Sequence, residues 1–229
     1  SRAGIGALTS AFAEHRVGIL GVGGTGAYVL DLVSKTPVRE IHLFDGDLFL
    51  QHNAFRAPGA ASLGELESRP AKVAYLKERY GQMHRGIVAH RQAVTSANVD
   101  VLDGLTFVFV CIDNGPARRT IVDALLAKRI PFVDVGMGLQ LVDGRIMGTV
   151  RAVLGTETKS DHLVDRIQFA DEPDDLYASN IQVADLNAIN AALAVIRWKQ
   201  MLGFYQDNER AHTLLYSFNA NHLLAGDKT

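Results

Sequence analysis

Short apolar runs rich in β-branched and aromatic residues alternate along this chain with longer stretches whose apolar residues recur at helical spacing. The runs predict strands at residues 17–20, 40–45, 107–112, 131–135, 145–153 and 213–218, and the stretches predict helices at residues 25–34, 71–80, 117–128 and 181–202. Such alternation is typical of a parallel sheet with crossover helices. We therefore expect an α/β fold: a Rossmann-like, mostly parallel sheet flanked by helices, with antiparallel strands added in the C-terminal part.

Two of the predicted strands, residues 17–20 and 107–112, are continuously apolar instead of alternating. That pattern marks central parallel strands that are buried on both faces. Their carboxyl ends are expected to border a ligand crevice. Residues 155–175, in contrast, are polar and acid-rich without a helical period, and we interpret them as a loop that crosses the sheet.

Size and composition limit the possible partners and compartments. A chain of 229 residues with 48% hydrophobic content can form one core, so we expect a single domain over residues 1–229. Because it begins at Ser1-Arg2, shortly before its first motif, it can also be part of a longer protein. The net charge of -2 argues against a nucleic-acid partner or an anionic membrane surface. A single cysteine, no leader and no long apolar segment favour a cytoplasmic protein that does not enter a membrane.

A glycine-rich loop follows the first predicted strand and precedes the first predicted helix. It contains Gly21, Gly23, Gly24 and Gly26. In that position glycines allow a tight turn, and the amides at the start of the helix can face phosphate. Dehydrogenases, methyltransferases and flavoproteins share the pattern, and the glycines can also serve only the turn, so the motif predicts a site without naming its ligand.

The polar residues after the second predicted strand narrow the choice of ligand. Asp45 follows Gly26 by about 20 residues, the spacing at which a carboxylate accepts ribose hydroxyls. The further members of the set are Asp47, Asn53, Arg56 and Lys72. Two cations and an amide beyond the ribose acid suit a triphosphate, because charge develops on the leaving pyrophosphate. Taken singly, Arg56 or Lys72 fits a solvated surface charge better; the spacing of the set favours the nucleotide.

Asp113 follows the strand predicted at residues 107–112 and should emerge at the carboxyl edge of the sheet. A carboxylate there suits Mg²⁺, which takes few protein oxygens together with water and phosphate oxygens. The alternative is that Asp113 caps the helix that begins near Gly115-Pro116.

Together these motifs resemble the ThiF/MoeB/ubiquitin-activating superfamily, whose members adenylate a carboxylate, usually the C-terminal glycine of a ubiquitin-like or sulfur-carrier protein. The resemblance covers nearly the whole chain, and residues 177–187 look most like bacterial ThiF-type adenylyltransferases. It implies that Asp45 binds the ribose, with Asp47 in support. It further implies that Asn53, Arg56 and Lys72 hold the phosphates and that Asp113 holds Mg²⁺. Members are typically homodimers in which an amino-terminal arginine reaches the partner's nucleotide, and Arg2 is the candidate here.

The chain also departs from this family's pattern. Many members carry paired Cys-x-x-Cys motifs for zinc and a reactive cysteine in the crossing loop, whereas this chain has only Cys111. We therefore expect no zinc and no sulfur nucleophile in the loop. Cys111 itself lies in an apolar strand, where core packing is the favoured role.

The predicted activity is ATP-dependent adenylation of a carboxylate with release of pyrophosphate, in which Arg56, Lys72 and Asp113 act catalytically. The substrate's tail is expected beside Gly136-Met137-Gly138, glycines that could equally form a turn. Two alternatives stay open: an ATP-binding interaction module without catalysis, and an NAD-dependent oxidoreductase, which would leave Arg56, Lys72 and Asp113 without a common purpose. The alanine-rich helix at residues 181–202 fits a homodimer seam or burial against its own sheet.

Overall fold

A computed structural model describes residues 6, 9–170 and 182–229 of the chain. Its centre is one eight-stranded sheet with the order β3-β2-β1-β4-β5-β6-β7-β8. The strands are β1 (Arg16–Leu20), β2 (Glu40–Phe44), β3 (Ile87–His90), β4 (Phe107–Val110), β5 (Phe132–Val142), β6 (Arg145–Gly155), β7 (Ala211–Ser217) and β8 (His222–Lys228). Strands β1 to β5 pair in parallel, and β6, β7 and β8 are added antiparallel. The predicted fold class is confirmed.

Helices cover both faces of this sheet. In the part of the chain that is described they are α1 (Gly24–Val33), α2 (Gln51–Ala54), α3 (Leu63–Ser68), α4 (Lys72–Gly81), α5 (Gly115–Ala127), α6 (Leu163–Arg166) and α7 (Ala184–Met201). One core lies between the sheet and α1, α4 and α7, and a second lies on the opposite face beneath α5. Each face of the sheet therefore buries its own apolar layer, which is the arrangement expected for parallel strands.

The predicted elements match the observed ones to within a few residues, with several corrections. Strand β3 and the last strand, β8, were not predicted, and the segment predicted as the final strand is β7. The segment after Asp47, for which no element was predicted, contains the short helices α2 and α3. The predicted crossing loop contains α6, and its residues 171–175 lie outside the described part of the chain. The long helix starts at Ala184; residue 181, its predicted start, lies outside the described residues.

Strand β5 runs much further than the predicted residues 131–135. It forms a long hairpin with β6 whose turn is Asp143-Gly144, both with positive φ, the geometry of a type I′ turn. The glycines Gly136 and Gly138 lie inside β5, so the hypothesis that they form a turn is wrong. Parallel pairing with β4 stops at Asp134, and the remainder of β5 extends past the end of β4.

Helix α7 packs against its own sheet. Its buried face contains Ala191, Ala194 and Val195 together with Trp198, which is fully buried. The Trp198 ring lies 5.1 Å from that of Phe12, 6.1 Å from that of Phe107 and 5.9 Å from that of Phe109. Of the two roles open for this helix, the structure therefore shows burial within the domain. No helix in the described ranges is long and apolar enough to cross a bilayer.

Truncating Trp198 should be among the costlier single changes in this core. We expect Trp198→Ala to lower the free energy of unfolding by about 3–5 kcal/mol, because it removes a large buried ring and leaves a cavity between α7 and β4. Ile196→Ala on the same helix, at a side chain 39% exposed, is the control and should cost less than about 1 kcal/mol. Urea unfolding followed by circular dichroism measures both, and equal losses would contradict this packing.

Candidate functional site

The carboxyl ends of the parallel strands open into a single cleft of about 1830 Å³. Its walls include the glycine loop after β1, the segments that follow β2 and β4, and the extended part of β5. The predicted site residues that line it are Gly21, Gly23, Gly24, Asp45, Asp47, Arg56, Lys72 and Asp113. Of the other predictions, Gly26 and Asn53 are buried just behind the wall, and Arg2 lies outside the described residues.

The glycine loop is built by very close backbone contacts. Gly21 has a φ of +80°, and a Cβ on it would stand 2.6 Å from the carbonyl oxygen of Cys111. A Cβ on Gly26 would overlap the carbonyl oxygen of Gly21, so helix α1 can begin this close to β1 only with glycine there. Gly23 has nothing within 4 Å of its missing side chain and faces the open cleft.

Asp45 ties the end of β2 to the glycine loop. Its Oδ2 accepts a hydrogen bond from the backbone N–H of Val22 at 3.0 Å, and its Oδ1 accepts one from the N–H of Asp47 at 2.9 Å. The residue is only 9% exposed. Its carboxylate is thus held in a fixed orientation at the edge of the cleft, as a group that positions a ligand must be.

Lys72, the first residue of α4, is paired with the two acids before any ligand arrives. Its Nζ lies 2.7 Å from Oδ2 of Asp47 and 3.6 Å from Oδ1 of Asp45. Lys72 is 7% exposed, so burial would be costly for its charge without these partners. Three residues that the sequence placed in one set are therefore one contiguous ionic group in the structure.

Asn53 and Arg56 hold the segment around α2. Asn53 Oδ1 accepts a hydrogen bond from the N–H of Leu50 at 2.9 Å, and the N–H of Arg56 donates to the carbonyl oxygen of Asn53 at 3.1 Å. Nδ2 of Asn53 and Nε of Arg56 are buried donors without a partner among the described residues. Arg56 lines the cleft, whereas Asn53 shapes the loop that carries it.

Asp113 lies in the cleft wall beyond the end of β4 and is exposed. Strand β4 ends at Val110, so Asp113 stands on the connection to α5 and not directly at the strand's last residue. The helix cap is its neighbour: Asn114 Oδ1 accepts a hydrogen bond from the N–H of Ala117 at 2.7 Å. The hypothesis that Asp113 caps this helix is therefore wrong, and its carboxylate faces the cleft.

Cys111 was expected inside a strand but lies just after β4 and is partly exposed in the cleft wall. Its N–H donates to the carbonyl oxygen of Leu20, and its side chain packs against the core beside Gly26. Burial raises the pKa of the Cys111 thiol, with the nearby Asp134 carboxylate contributing. The thiol is thus a poor nucleophile, in keeping with a packing role.

Asn187, which was not among the predicted site residues, is fully buried on α7 and joins two walls of the cleft. Its Oδ1 accepts a hydrogen bond from Oγ of Thr25 on α1, and its Nδ2 donates to the carbonyl oxygen of Arg56 at 3.3 Å. A Cβ on Gly24 would overlap its amide. The available signal was a pair of asparagines, Asn187 and Asn190, one helical turn apart on a mainly apolar face.

A second missed group consists of Arg118 and Arg151, which line the cleft, and the buried carboxylate of Asp134 between them. Asp134 on β5 is fully buried between two arginines: its Oδ2 lies 2.7 Å from Nη1 of Arg151 on β6, and its Oδ1 lies 3.1 Å from Nε of Arg118 on α5. Burial raises the pKa of Asp134, and the two guanidinium groups oppose that shift. Arg118 also donates from Nη1 to the carbonyl oxygen of Gln168 at 2.8 Å and from Nη2 to that of Ile112.

The comparisons with known proteins agree with this architecture. The model of the ThiF family matches residues 6–223. The chain belongs to the ThiF family. No curated protein sequence matches it significantly. Among solved structures it is similar to PaaA, with 16% identity and a TM-score of 0.72 over 96% of this chain and 66% of that one.

Two structures of MccB are also similar to this chain. Escherichia coli MccB with ATP has 15% identity and a TM-score of 0.72, over 96% of this chain and 65% of that chain. The Microcin C7 biosynthetic enzyme MccB in complex with N-formylated MccA has 14% identity and a TM-score of 0.73, over 96% and 66%. At this identity the similarity establishes the ThiF-like fold. The chain spans slightly less than two thirds of the length of these neighbours.

Substitutions at residues 113 and 114 separate capping from a role in the cleft. We expect Asn114→Ala to cost about 1 kcal/mol of unfolding free energy, because the N-cap of α5 loses its side-chain acceptor. Asp113→Ala should stay within about 0.5 kcal/mol of the parent, since its carboxylate bears no structural hydrogen bond in the described residues. Thermal unfolding measures the stability of both variants. A larger loss of stability in Asp113→Ala than in Asn114→Ala would show that Asp113 caps the helix.

The thiol of Cys111 should react slowly with a disulfide reagent at mildly alkaline pH. A raised pKa leaves less thiolate at any given pH below it, so the labelling rate should rise only at a higher pH than for an ordinary thiol. The same protein unfolded in guanidinium is the control and should react at the rate of a free cysteine. Equal rates in the folded and unfolded protein would show that folding does not raise the pKa of this thiol.

Proposed function

We propose that this chain transfers the adenylyl group of ATP to a carboxylate. The observation that carries the proposal is that Lys72, Arg56, Asp45 and Asp113 line the same cleft as Gly23, which has open space where its side chain would be. A dinucleotide site accounts for the glycine loop and Asp45 but gives no use to two cations and a second acid. Adenylyl transfer uses both cations and both acids, because it is catalysed largely by positioning and by neutralising charge.

In the proposed reaction a carboxylate oxygen attacks the α-phosphorus of ATP. One oxygen–phosphorus bond forms, the bond to the β-phosphate oxygen breaks, and pyrophosphate leaves with the electron pair. Asp45 accepts the ribose hydroxyls from its fixed orientation, while Arg56 and Lys72 neutralise the charge that develops on the leaving group. The reaction needs no nucleophile from the protein, in keeping with the poorly ionised thiol of Cys111.

The residues present also fit Mg²⁺. Asp113 offers one exposed carboxylate in the cleft wall, and Mg²⁺ suits a site with one protein carboxylate plus water and phosphate oxygens. When bound there, the ion would withdraw charge from the phosphates. No group of three or more His, Cys, Asp or Glu side chains in the described residues forms a protein-only metal site.

For the substrate we propose the carboxyl end of a protein or peptide, and specifically the C-terminal glycine of a ubiquitin-like or sulfur-carrier protein. The extended part of β5 supports this, because it presents backbone to the cleft for several residues past Asp134 and carries glycine at 136 and 138. The similar MccB was solved with N-formylated MccA, which makes a polypeptide a reasonable partner in this fold. A homodimer in which Arg2 reaches the partner's nucleotide completes the proposal.

Lys72→Ala should reduce the rate of ATP–pyrophosphate exchange about 100-fold and change the KM for ATP less, because the ammonium is used most when pyrophosphate leaves. Exchange with radiolabelled pyrophosphate is measured against glycine-ended proteins and small carboxylates. Lys77→Ala, an exposed lysine on the same helix, is the matched control and should leave the rate unchanged.

Equal exchange rates for the Lys72→Ala variant and its parent would exclude the proposed role of Lys72. If the parent itself bound ATP but gave no exchange with any carboxylate, an ATP-binding interaction module would be the better account. Stabilisation by NAD but not by ATP in a thermal-shift titration would favour an oxidoreductase.

A further inference from the structure

The side chain of Arg151 reaches the cleft across Gly136, a residue of strand β5 that has no side chain. It lies opposite Gly136 in the β5–β6 ladder, and its guanidinium covers the place where a side chain on residue 136 would be. A Cβ on Gly136 would stand 2.7 Å from Nη2 and 2.8 Å from Nε of Arg151. Any larger residue at 136 would displace this guanidinium, so glycine there admits Arg151 to the cleft wall.

The guanidinium of Arg151 is oriented but not saturated. It makes one hydrogen bond in the described part of the chain, from Nη1 to Asp134, and its side chain is 17% exposed. A guanidinium has five N–H donors arranged to match a carboxylate. Asp134 fixes the position of the guanidinium through Nη1, and the donors on Nη2 and Nε lie beside Gly136 at the cleft surface.

The surrounding charge favours an anion. Two guanidinium groups, of Arg118 and Arg151, share the one carboxylate of Asp134, so the group has a net charge of +1 when Asp134 is ionised. Asp134 and Arg118 are almost completely buried, and a partly desolvated cation attracts a carboxylate more strongly than a surface cation does. This positive group is separate from the ionic group of Lys72, Asp47 and Asp45.

A buried amide marks the same strand position. Asn190 on α7 is fully buried and lines the cleft; its Nδ2 donates to the carbonyl oxygen of Gly136 at 3.1 Å. Its Oδ1 has no partner among the described residues. An unsatisfied buried acceptor is costly and indicates a donor that arrives with a ligand. A peptide along the edge of β5 would meet Arg151 on the α5 face of the sheet and Asn190 on the α7 face.

We propose that Arg151 is a substrate-binding residue that takes a carboxylate of a peptide lying beside Gly136, with Asp134 and Arg118 holding its guanidinium in place. The inference deepens the proposed function, since it assumes that this cleft receives the acyl substrate. The carboxylate can be the C-terminal one, which is then adenylated, or that of an acidic side chain near the end. Both sources present the same chemistry to the guanidinium.

Binding of short synthetic peptides tests this assignment without requiring turnover. The peptides end in Gly-Gly, Asn or Asp, each with a free or an amidated C-terminus, and their affinities are measured by calorimetry with a non-hydrolysable ATP analogue present. We expect Arg151→Gln to weaken the binding of the preferred free-carboxylate peptide about tenfold or more and to leave affinity for the analogue unchanged. Arg145→Gln, which removes an exposed arginine from the same strand, should change neither.

The amidated peptides identify the source of the carboxylate. If amidation abolishes Arg151-dependent binding of every peptide, the C-terminal carboxylate is the group that Arg151 binds. If the amidated peptide ending in Asp still binds in an Arg151-dependent way, Arg151 binds a side-chain carboxylate. If Arg151→Gln does not fold, Arg151→Lys replaces it, because lysine keeps the positive charge beside Asp134 but lacks the planar guanidinium. We expect this variant to lose several-fold in peptide affinity.

Pyrophosphate exchange measured in parallel separates this inference from the proposed function. Exchange by the parent together with unchanged peptide affinity in Arg151→Gln overturns the role of Arg151 and leaves adenylation standing. Arg151-dependent peptide binding without pyrophosphate exchange supports the binding role of Arg151 and contradicts the proposed adenylation. A parent protein that binds none of these peptides overturns the inference, as does peptide binding that is the same in the parent and in Arg151→Gln for every peptide.

Discussion

Strand β1 lies between β2 and β4, so the chain leaves its first strand toward one side of the sheet and later returns on the other. The connections on the two sides diverge, and the crevice between them opens at the carboxyl ends of the strands. Every feature of the site depends on this arrangement. The glycine loop follows β1, Asp45 follows β2 and Asp113 follows β4, and all meet at one edge although they are distant in sequence. The close contact of Gly26 with Gly21 lets α1 begin directly beside β1 at that edge.

Two groups of charged side chains in this crevice contain paired opposite charges. Burying a lone ion is costly, and removing one partner of a buried pair leaves the other uncompensated. Lys72 therefore occurs with Asp45 and Asp47, and Asp134 occurs between Arg118 and Arg151. Pairing also fixes geometry, because each long side chain is held in one conformation before a ligand binds. The asparagine Asn187 adds a neutral link between the glycine loop and the segment of Arg56.

The central strands and the principal helices could be predicted from sequence because their burial leaves a strong local pattern. Strand β4 is apolar throughout and β1 is apolar after Arg16, whereas the edge strands β3 and β8 are short or largely exposed and lack that signal. Residues that follow buried strands, such as Asp45 and Asp113, were also predictable in position. Asn187, Asp134 and Arg151 were not, since their partners are brought together only by the fold: Thr25 and Asn187 are 162 residues apart.

The pairing of Lys72 has a consequence for how a nucleotide would enter. The ammonium of Lys72 already has two counter-ions, the carboxylates of Asp45 and Asp47. Under the proposed function, an incoming triphosphate would replace part of that pairing, and Asp47, whose side chain is 75% exposed, would be the partner that turns toward solvent. Ligand entry at this end of the sheet would then be an exchange of anions around one cation, in which the resident carboxylate is displaced as the phosphate arrives.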